Sequence, residues 1–291
     1  PRSTRRATLF PYTPLFRSGR MRLFCLLLSL SIPLSIPVSA LAADANKLTI
    51  TGSSTIAPLA LDLAKRFEKL NAGTRINVQA GGSARGITDV RGGLSDIGLV
   101  SRALKPDEAD LSSYVVALDG ITVVLHKSNP VKALTNEQIT AIYTGKISNW
   151  KAVGGKDLRI TVVNKAEGRS TLELFLHYFK LKASDVKAQV VIGDNQQGIK
   201  TVSGNPGAIA YVSIGTAEYE VEDGTPIKLL PIQGVAATVA NVRNRSFPLS
   251  RQLNLVTPRP AAGLTKRFID FTQSRQVYDL IQDQFFVPVA H

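Results

Sequence analysis

The chain has 291 residues, of which 44% are hydrophobic, 7% aromatic and 20% charged, the composition of one or two ordinary globular domains. This excludes an intrinsically disordered chain, a collagen and a coiled coil. The formal net charge of +13 suggests a nucleic acid or another anionic partner, so the charges have to be located before their sum is interpreted.

The first 42 residues are interpreted as segments that the mature protein lacks. The one methionine, Met21, precedes an arginine, an apolar run and the small residues Ala40 and Ala42, which is typical of a secretory signal peptide over residues 21–42, cleaved after Ala42. A membrane anchor is the alternative. It would need about 20 uninterrupted apolar residues, and serines and prolines interrupt this run. Residues 1–20 show no helical or strand periodicity, and we interpret them as a non-native leader, an assembly artefact.

Removing this N-terminal part changes the meaning of the charge. It takes away six arginines and no acidic residue, which leaves a net charge of about +7. It also removes Cys25, the one cysteine, and so excludes disulfides, thiol catalysis and cysteine-bound zinc. Arg243, Arg245 and Arg251 come nearest to a basic cluster, and we interpret them as solvated surface side chains. We therefore expect an exported protein, periplasmic or secreted, without a nucleic-acid partner.

Beyond residue 45, strand-like and helix-like segments alternate, which predicts an α/β protein with mostly parallel sheets. In chain order, the predicted strands are KLTITG, INVQA, DIGLVS, the long YVVALDGITVVLH, LRITVVNK, AQVVIG and GAIAYVS. The predicted helices are PLALDLAKRFEKL, ARGITDVR, LTNEQITAIY, TLELFLHYFKL, GIKTVSG and, at the end, TKRFIDFTQSRQVYDLIQDQ.

Three of the predicted strands end in glycine, serine or threonine residues from which a helix starts at once. These turns are residues 52–55 (GSST), 81–83 (GGS) and 168–171 (GRST). A helix N-terminus has unpaired N–H groups and a partial positive charge, and hydroxyls add further donors, so such a turn favours an oxyanion. Plain N-capping is the alternative for any single turn. Because ligands of α/β sheets bind where the carboxyl ends of strands meet, three turns together predict a site for phosphate or sulfate.

Arg169 lies inside the third turn, where a guanidinium can hold an oxyanion through two parallel hydrogen bonds, and we favour this role over a solvated arginine. An exported hydrolase is the competing class. Its chemistry needs a positioned histidine, and the chain offers only His126, His177 and His291. No G-x-S-x-G, HExxH or carboxylate cluster is present in the sequence, so we expect no enzyme, no metal and no cofactor.

The motifs of these turns resemble those of a known family, the phosphate-binding proteins of high-affinity phosphate ABC transporters, which are type II periplasmic binding proteins. TGSSTIAPL resembles the first anion loop of the family, and GGSARGITDVRGGLSDIGLVSR resembles its second-loop region. LDGITVVLHKSNPV, LTNEQITAIYTGKISNWKAVGG and NPGAIAYVSI resemble later segments. The resemblance extends over about residues 48–287.

The resemblance implies a fold of two α/β lobes, each a mainly parallel sheet flanked by helices, with two crossing strands as a hinge. Lobe 1 would comprise residues 46–126 and 249–291, and lobe 2 residues 127–248. An anion would bind one lobe and draw the other closed by hinge bending. The closed form, a monomer that does not span the membrane, would then dock on the permease subunits of the transporter.

The resemblance also assigns the ligand residues, although the chain departs from the family pattern. Ser101 stands where some members have an aspartate, which would accept a proton from monohydrogen phosphate. The third loop reads KAEGRSTL, whereas the family usually has R-x-x-G-S-G-T-R. We predict phosphate as the ligand, with sulfate or phosphonate, or a phosphate sensor or scavenger without transport, as alternatives. The predicted phosphate-binding residues are Ser54, Thr55, Ser83, Ser101, Arg102, Lys165, Arg169, Ser170 and Thr171.

Overall fold

The computed structural model describes residues 46–290 and has the predicted α/β architecture. Its ten strands are β1 (Lys47–Gly52), β2 (Arg75–Ala80), β3 (Ile97–Val100), β4 (Ser112–His126), β5 (Thr161–Lys165), β6 (Val190–Ile192), β7 (Ala208–Ser213), β8 (Ile227–Leu229), β9 (Ser250–Thr257) and β10 (Val287–Pro288). The α-helices of these residues are α1 (Ala57–Leu70), α2 (Ser83–Arg91), α3 (Asn136–Tyr143), α4 (Ser170–Tyr178), α5 (Asn195–Gly204), α6 (Ile214–Glu222), α7 (Val239–Arg243), α8 (Gly263–Thr272) and α9 (Tyr278–Asp283). The predicted leader and signal peptide, residues 1–42, lie outside the described residues.

The strands pair in the order β2-β1-β3-β9-β4-β7-β5-β6, and their directions follow two patterns. The outer strands are parallel, as predicted: β1 pairs with β2 and β3, and β5 pairs with β6 and β7. The central strands differ, because β9 is antiparallel to both β3 and β4, and β4 is antiparallel to β7 and β8. The chain passes along β4 from the strands β1–β3 toward the strands β5–β8, and it comes back along β9 in the opposite direction. This reversal makes the middle of the sheet antiparallel.

Strand β4 is long enough, at 15 residues, to take part in two regions of packing. Its first part, residues 112–120, pairs with β9, and residues 121–126 pair with β7 and β8. One large apolar cluster includes side chains of α1 and α8, and another includes side chains of α3 and α4. The division into two lobes at residues 126 and 249 stays a prediction.

The predicted C-terminal helix is interrupted. Helix α8 ends at Thr272, and α9 begins only at Tyr278. The Thr272 hydroxyl donates to the carbonyl of Ile269 at 2.7 Å, and the Ser274 hydroxyl donates to the carbonyl of Phe271 at 2.8 Å. Such local bonds from serine and threonine compete with the helical pattern of hydrogen bonds, which explains why the helix stops here.

The three glycine- and hydroxyl-rich turns join strands to helices as predicted. The first lies between β1 and α1, the second between β2 and α2, and the third between β5 and α4. Two further strand ends, those of β3 and β6, lead directly into Ser101 and Asn195 through short connections. These five carboxyl ends supply most of the side chains of the candidate site.

Candidate functional site

Six hydroxyl side chains from the ends of β1, β2, β3 and β5 are buried near one another. The Oγ of Ser53 donates to the Oγ of Ser101 at 2.9 Å, and the backbone N–H of Ser101 donates to the Oγ of Ser83 at 3.2 Å. Burying polar groups is unfavourable unless they are hydrogen-bonded, so such a concentration indicates a site rather than ordinary core packing. We call this group the hydroxyl cluster; its members, all at most 5% exposed, are Ser53, Thr55, Ser83, Ser101, Ser170 and Thr171.

Arg251 contacts the hydroxyl cluster and is paired with a buried carboxylate. Its Nε and Nη2 donate to Oδ2 of Asp119 at 3.0 and 2.7 Å, and Oδ1 of Asp119 accepts from the N–H of Gly215 at 3.2 Å. The prediction that Arg251 is a solvated surface side chain is wrong, because Asp119 lies opposite it on β4 and supplies the counter-charge that makes burial tolerable. Arg243 and Arg245 are exposed, as predicted.

The remaining N–H groups of Arg251 determine which way the hydroxyls donate. Nη1 donates to Thr171 at 2.9 Å and to Ser101 at 3.4 Å, and Nη2 donates to Thr55 at 3.3 Å. Thr55 accepts a second bond from Nδ2 of Asn195, and Ser101 accepts a second bond from within the hydroxyl cluster. A hydroxyl has two acceptor lone pairs and one O–H donor. With both lone pairs in use, the O–H groups of Thr55 and Ser101 are left to donate to another acceptor.

Lys165, at the end of β5, is a second buried cation, and its side chain has a neutral partner. It is 3% exposed, and its Nζ donates to Oδ1 of Asn195 at 2.8 Å. Burial, together with the positive charges of Arg251 and Arg169, lowers the pKa of Lys165 to about 7, while the negative charge of Asp194 acts in the opposite direction. An anion beside this amine would favour its charged form.

The third turn brings unpartnered donors to the N-terminus of α4. No side chain caps this helix, and its N-cap residue is Arg169. The Nε of Arg169 and the Oγ of Ser170 are buried and have no hydrogen-bond partner among residues 46–290. The carbonyl of Gly168 accepts from the N–H of Ala84 at 3.2 Å and so joins the third turn to the second. Since buried polar atoms in proteins are nearly always paired, these two donors indicate a place for an acceptor.

Ser54 is adjacent to the hydroxyl cluster without being a member of it. The residue is half-buried and lines a cavity of about 490 Å³ that Thr55 and Asn195 also line. Its assignment as a phosphate-binding residue stays a prediction.

Arg102 is committed to an ion-pair network of its own. Its Nη1 and Nη2 donate to the Glu108 carboxylate at 2.7 and 2.8 Å, and its Nε donates to Glu173 at 2.9 Å. Lys105 pairs with the same Glu173 oxygen at 2.8 Å. The structure thus brings seven of the nine predicted residues together. The Arg102 guanidinium is bound to Glu108 and Glu173 instead, so we do not include Arg102 among the anion contacts that we propose.

Three buried side chains next to the hydroxyl cluster were not predicted as site residues: Asp119, Asn195 and Arg251. Asp119 is the one charged residue in the predicted strand YVVALDGITVVLH, and a charge inside an apolar strand signals a buried partner. Asn195 opens α5 directly after β6, a fourth strand-to-helix junction that lacks serine and threonine. The partner of Asp119 could not be chosen from sequence, because it depends on the pairing of β4 with β9.

The arrangement suits a small anion with several acceptor atoms. O–H and N–H donors from several turns converge with Lys165 and Arg169, and the charge of Arg251 is balanced by Asp119. Among the described residues, no group of three or more histidine, cysteine, aspartate or glutamate side chains could hold a metal ion. Charge-assisted hydrogen bonds in such a buried site are strong, which favours a buried oxyanion.

Comparisons with known proteins identify the family of this chain. The sequence model of the PBP superfamily domain matches residues 37–276. The phosphate-binding protein PstS of Bacillus subtilis is 31% identical over 250 residues, a match that covers 84% of this chain and 81% of the relative.

Solved structures resemble the chain over a similar length. A phosphate ABC transporter substrate-binding protein from Clostridium perfringens, solved with bound phosphate, is 33% identical with a TM-score of 0.77, and the match covers 84% of this chain and 100% of that one. An ABC-type phosphate transport receptor from Vibrio cholerae is 31% identical with a TM-score of 0.70, and the match covers 83% and 100% of the two chains.

Proposed function

This chain belongs to the PBP superfamily and, within it, to the PstS-like phosphate-binding proteins, and we propose that it captures inorganic phosphate at the hydroxyl cluster for delivery to an ABC-transporter permease. The family resemblance predicted from the loop motifs is confirmed, as is the fold class. Members of this family are substrate-binding proteins rather than enzymes.

The pair of unpartnered donors at the third turn is the observation that carries the proposal. The Nε of Arg169 and the Oγ of Ser170 are buried next to Thr171, whose hydroxyl accepts from Arg251. A phosphate oxygen would satisfy both donors, and the other phosphate oxygens would accept from the O–H groups of Thr55 and Ser101. The positive charges of Lys165 and Arg169 have no carboxylate partner among the described residues, and an anion would compensate them.

Contacts between the predicted lobes support closure around the ligand. Ala84 of predicted lobe 1 donates to Gly168 of predicted lobe 2 at 3.2 Å. Arg102 and Lys105 of predicted lobe 1 form ion pairs with Glu173 of predicted lobe 2 at 2.9 and 2.8 Å. In our proposal phosphate bridges the two predicted lobes, and these contacts form as the lobes close around it.

Export and transport belong to the same proposal. We infer that cleavage after Ala42 releases the protein to the periplasm or the exterior, where it acts as a monomer. No helix of residues 46–290 is both long enough and apolar enough to cross a membrane. In our proposal the permease is a separate partner of the closed, phosphate-bound form.

Calorimetric titration of the protein that begins at Ala43 tests the proposal. We expect one phosphate per chain, and stabilisation by about 2.7 kcal/mol at a phosphate concentration of about 100 times Kd. Arg169→Ala should weaken binding about tenfold or more, because charge-assisted hydrogen bonds are lost. Arg267→Ala, on the exposed side of α8, is the matched control and should bind as the unaltered protein does.

Three outcomes would contradict parts of this proposal. Absence of both heat and thermal stabilisation with phosphate would contradict the function. Sulfate or a phosphonate binding at least as tightly as phosphate would favour the alternative oxyanions. An affinity of Arg169→Ala within about twofold of the unaltered protein, or roughly 0.4 kcal/mol, would remove Arg169 from the ligand set.

A second prediction concerns the close approach of the second and third turns. Gly82 has a φ of +98°, and a Cβ on it would lie 2.8 Å from the carbonyl oxygen of Gly168 and 3.0 Å from Cδ of Arg169. We expect Gly82→Ala to separate the turns and weaken phosphate binding about tenfold or more, as misplaced binding groups do. Gly73→Ala is the control, because Gly73 has a φ of +84° and no atom within 4 Å of its added Cβ. Phosphate affinity of both variants is measured by calorimetry. If both lose affinity equally, the loss in Gly82→Ala comes from backbone strain alone and not from separation of the turns.

A further inference from the structure

We propose that phosphate binding by this chain is coupled to the uptake of one proton by the Lys165 side chain, so that the affinity of the site falls as the pH rises above neutrality. The inference rests on the proposed function, because it concerns the same site. It depends on what surrounds the Lys165 amine in the absence of a ligand.

The amine is buried beside an amide instead of a carboxylate. Lys165 is 3% exposed, and the one acceptor among the described residues for its Nζ is Oδ1 of Asn195, at 2.8 Å. The same Asn195 donates through Nδ2 to Thr55, so the lysine is linked by two hydrogen bonds to the hydroxyl cluster. An ammonium group carries three N–H donors, and a neutral amide cannot balance its charge.

The groups that face Lys165 act mostly against its charge. Arg251 on β9 and Arg169 in the third turn are positive, and both oppose protonation. Asp194, before α5, favours protonation but acts from beyond ion-pair distance. Tyr211 on β7 accepts the backbone N–H of Lys165 at 3.2 Å, and burial raises the pKa of Tyr211, so it carries no charge.

Two more carboxylates lie nearby but do not compensate Lys165. Asp119 on β4 is engaged by Arg251 through Oδ2 and by the N–H of Gly215 through Oδ1. Glu167, in the same loop as the third turn, is exposed. Burial and the two arginines together lower the pKa of Lys165 to about 7, so the empty site holds a neutral amine in mildly alkaline solution.

Bound phosphate reverses this balance. Its negative charge stabilises the ammonium form and raises the pKa of Lys165 in the complex. The neutral amine then takes one proton from solvent and becomes an ammonium ion, and no bond of the phosphate is broken. Between about pH 7 and the raised pKa of the complex, the complex holds one proton more than the separate components. The contribution of Lys165 to the affinity is therefore fully present below about pH 7, and the affinity falls about tenfold per pH unit through that range.

Phosphate titrations between about pH 8 and pH 9, where free phosphate is already the dianion, test this coupling. Calorimetry in two buffers of different ionisation enthalpy should give an uptake near one proton per phosphate and an affinity that falls about tenfold over this range. Lys165→Arg keeps a cation that does not titrate, so its uptake should be near zero and its affinity constant. Lys200→Arg, on the exposed face of α5, is the matched control and should resemble the unaltered protein.

An NMR titration of the Lys165 side chain gives a readout that needs no variant. Its Cε signal should titrate at about pH 7 in the empty protein and at clearly higher pH in the phosphate complex. Two results would overturn the coupling while leaving phosphate binding intact. One is a phosphate affinity that changes by less than about twofold from pH 8 to pH 9, and the other is a proton uptake in Lys165→Arg equal to that of the unaltered protein. Absence of phosphate binding to the unaltered protein would instead overturn the proposed function and this inference with it.

Discussion

Replacement of Arg251 by methionine is expected to lower the free energy of unfolding by about 3–5 kcal/mol and to abolish measurable phosphate binding. The stability loss comes from Asp119, whose side chain is 1% exposed and would have no counter-charge. The binding loss has a different cause. Arg251 occupies lone pairs of Thr55, Ser101 and Thr171, and without it these hydroxyls can donate to one another instead of to phosphate.

A double variant separates the two effects. Adding Asp119→Asn to Arg251→Met removes the unpaired charge and keeps an acceptor for the N–H of Gly215, so most of the stability should return while binding stays lost. Denaturant unfolding and calorimetry measure the two quantities. Arg243→Met, at an exposed position of α7, is the control and should change stability by no more than about 0.5 kcal/mol. Recovery of phosphate binding in the double variant would contradict the orienting role of Arg251.

The parts of the site that could be predicted from sequence are those that depend on local chemistry. Three turns combine glycine with hydroxyl residues, at residues 52–55, 81–83 and 168–171. Each was predicted to join a strand to a helix, and each does so in the structure. Seven of the nine predicted residues came together because the carboxyl ends of these strands lie at the same place. Their local sequences required no knowledge of long-range pairing.

The parts that could not be predicted depend on pairing between distant segments. Arg251 was interpreted as solvated because Asp119 is 132 residues away in sequence, and only the register of β4 with β9 brings the two together. Arg102 was assigned to the ligand because it follows Ser101, yet Glu108 and Glu173 take its N–H groups. Charged residues near a site can therefore serve the ligand or one another, and sequence alone does not decide between these roles.

Replacement of Lys165 by methionine is expected to have opposite effects on stability and on binding. The empty protein should become more stable by roughly 1–4 kcal/mol, because a buried cation without a carboxylate partner is replaced by an apolar side chain of similar length. Phosphate affinity should fall about tenfold to a hundredfold, because a charge-assisted interaction is lost.

The stability gain should also depend on pH in a defined direction. Below about pH 7 both the folded and unfolded states of the unaltered protein hold a charged Lys165, so the folded state bears the full penalty of burying it. As the pH rises toward about 10.4, the ordinary pKa of lysine, the folded state is neutral while the unfolded state loses its proton, and the penalty disappears. Denaturant unfolding of phosphate-free protein should therefore show Lys165→Met most stabilised, relative to the unaltered protein, at or below neutral pH. Lys200→Met should show no such difference. A loss of stability in Lys165→Met below neutral pH would mean that the empty site already compensates the ammonium charge, and that phosphate is not needed to do so.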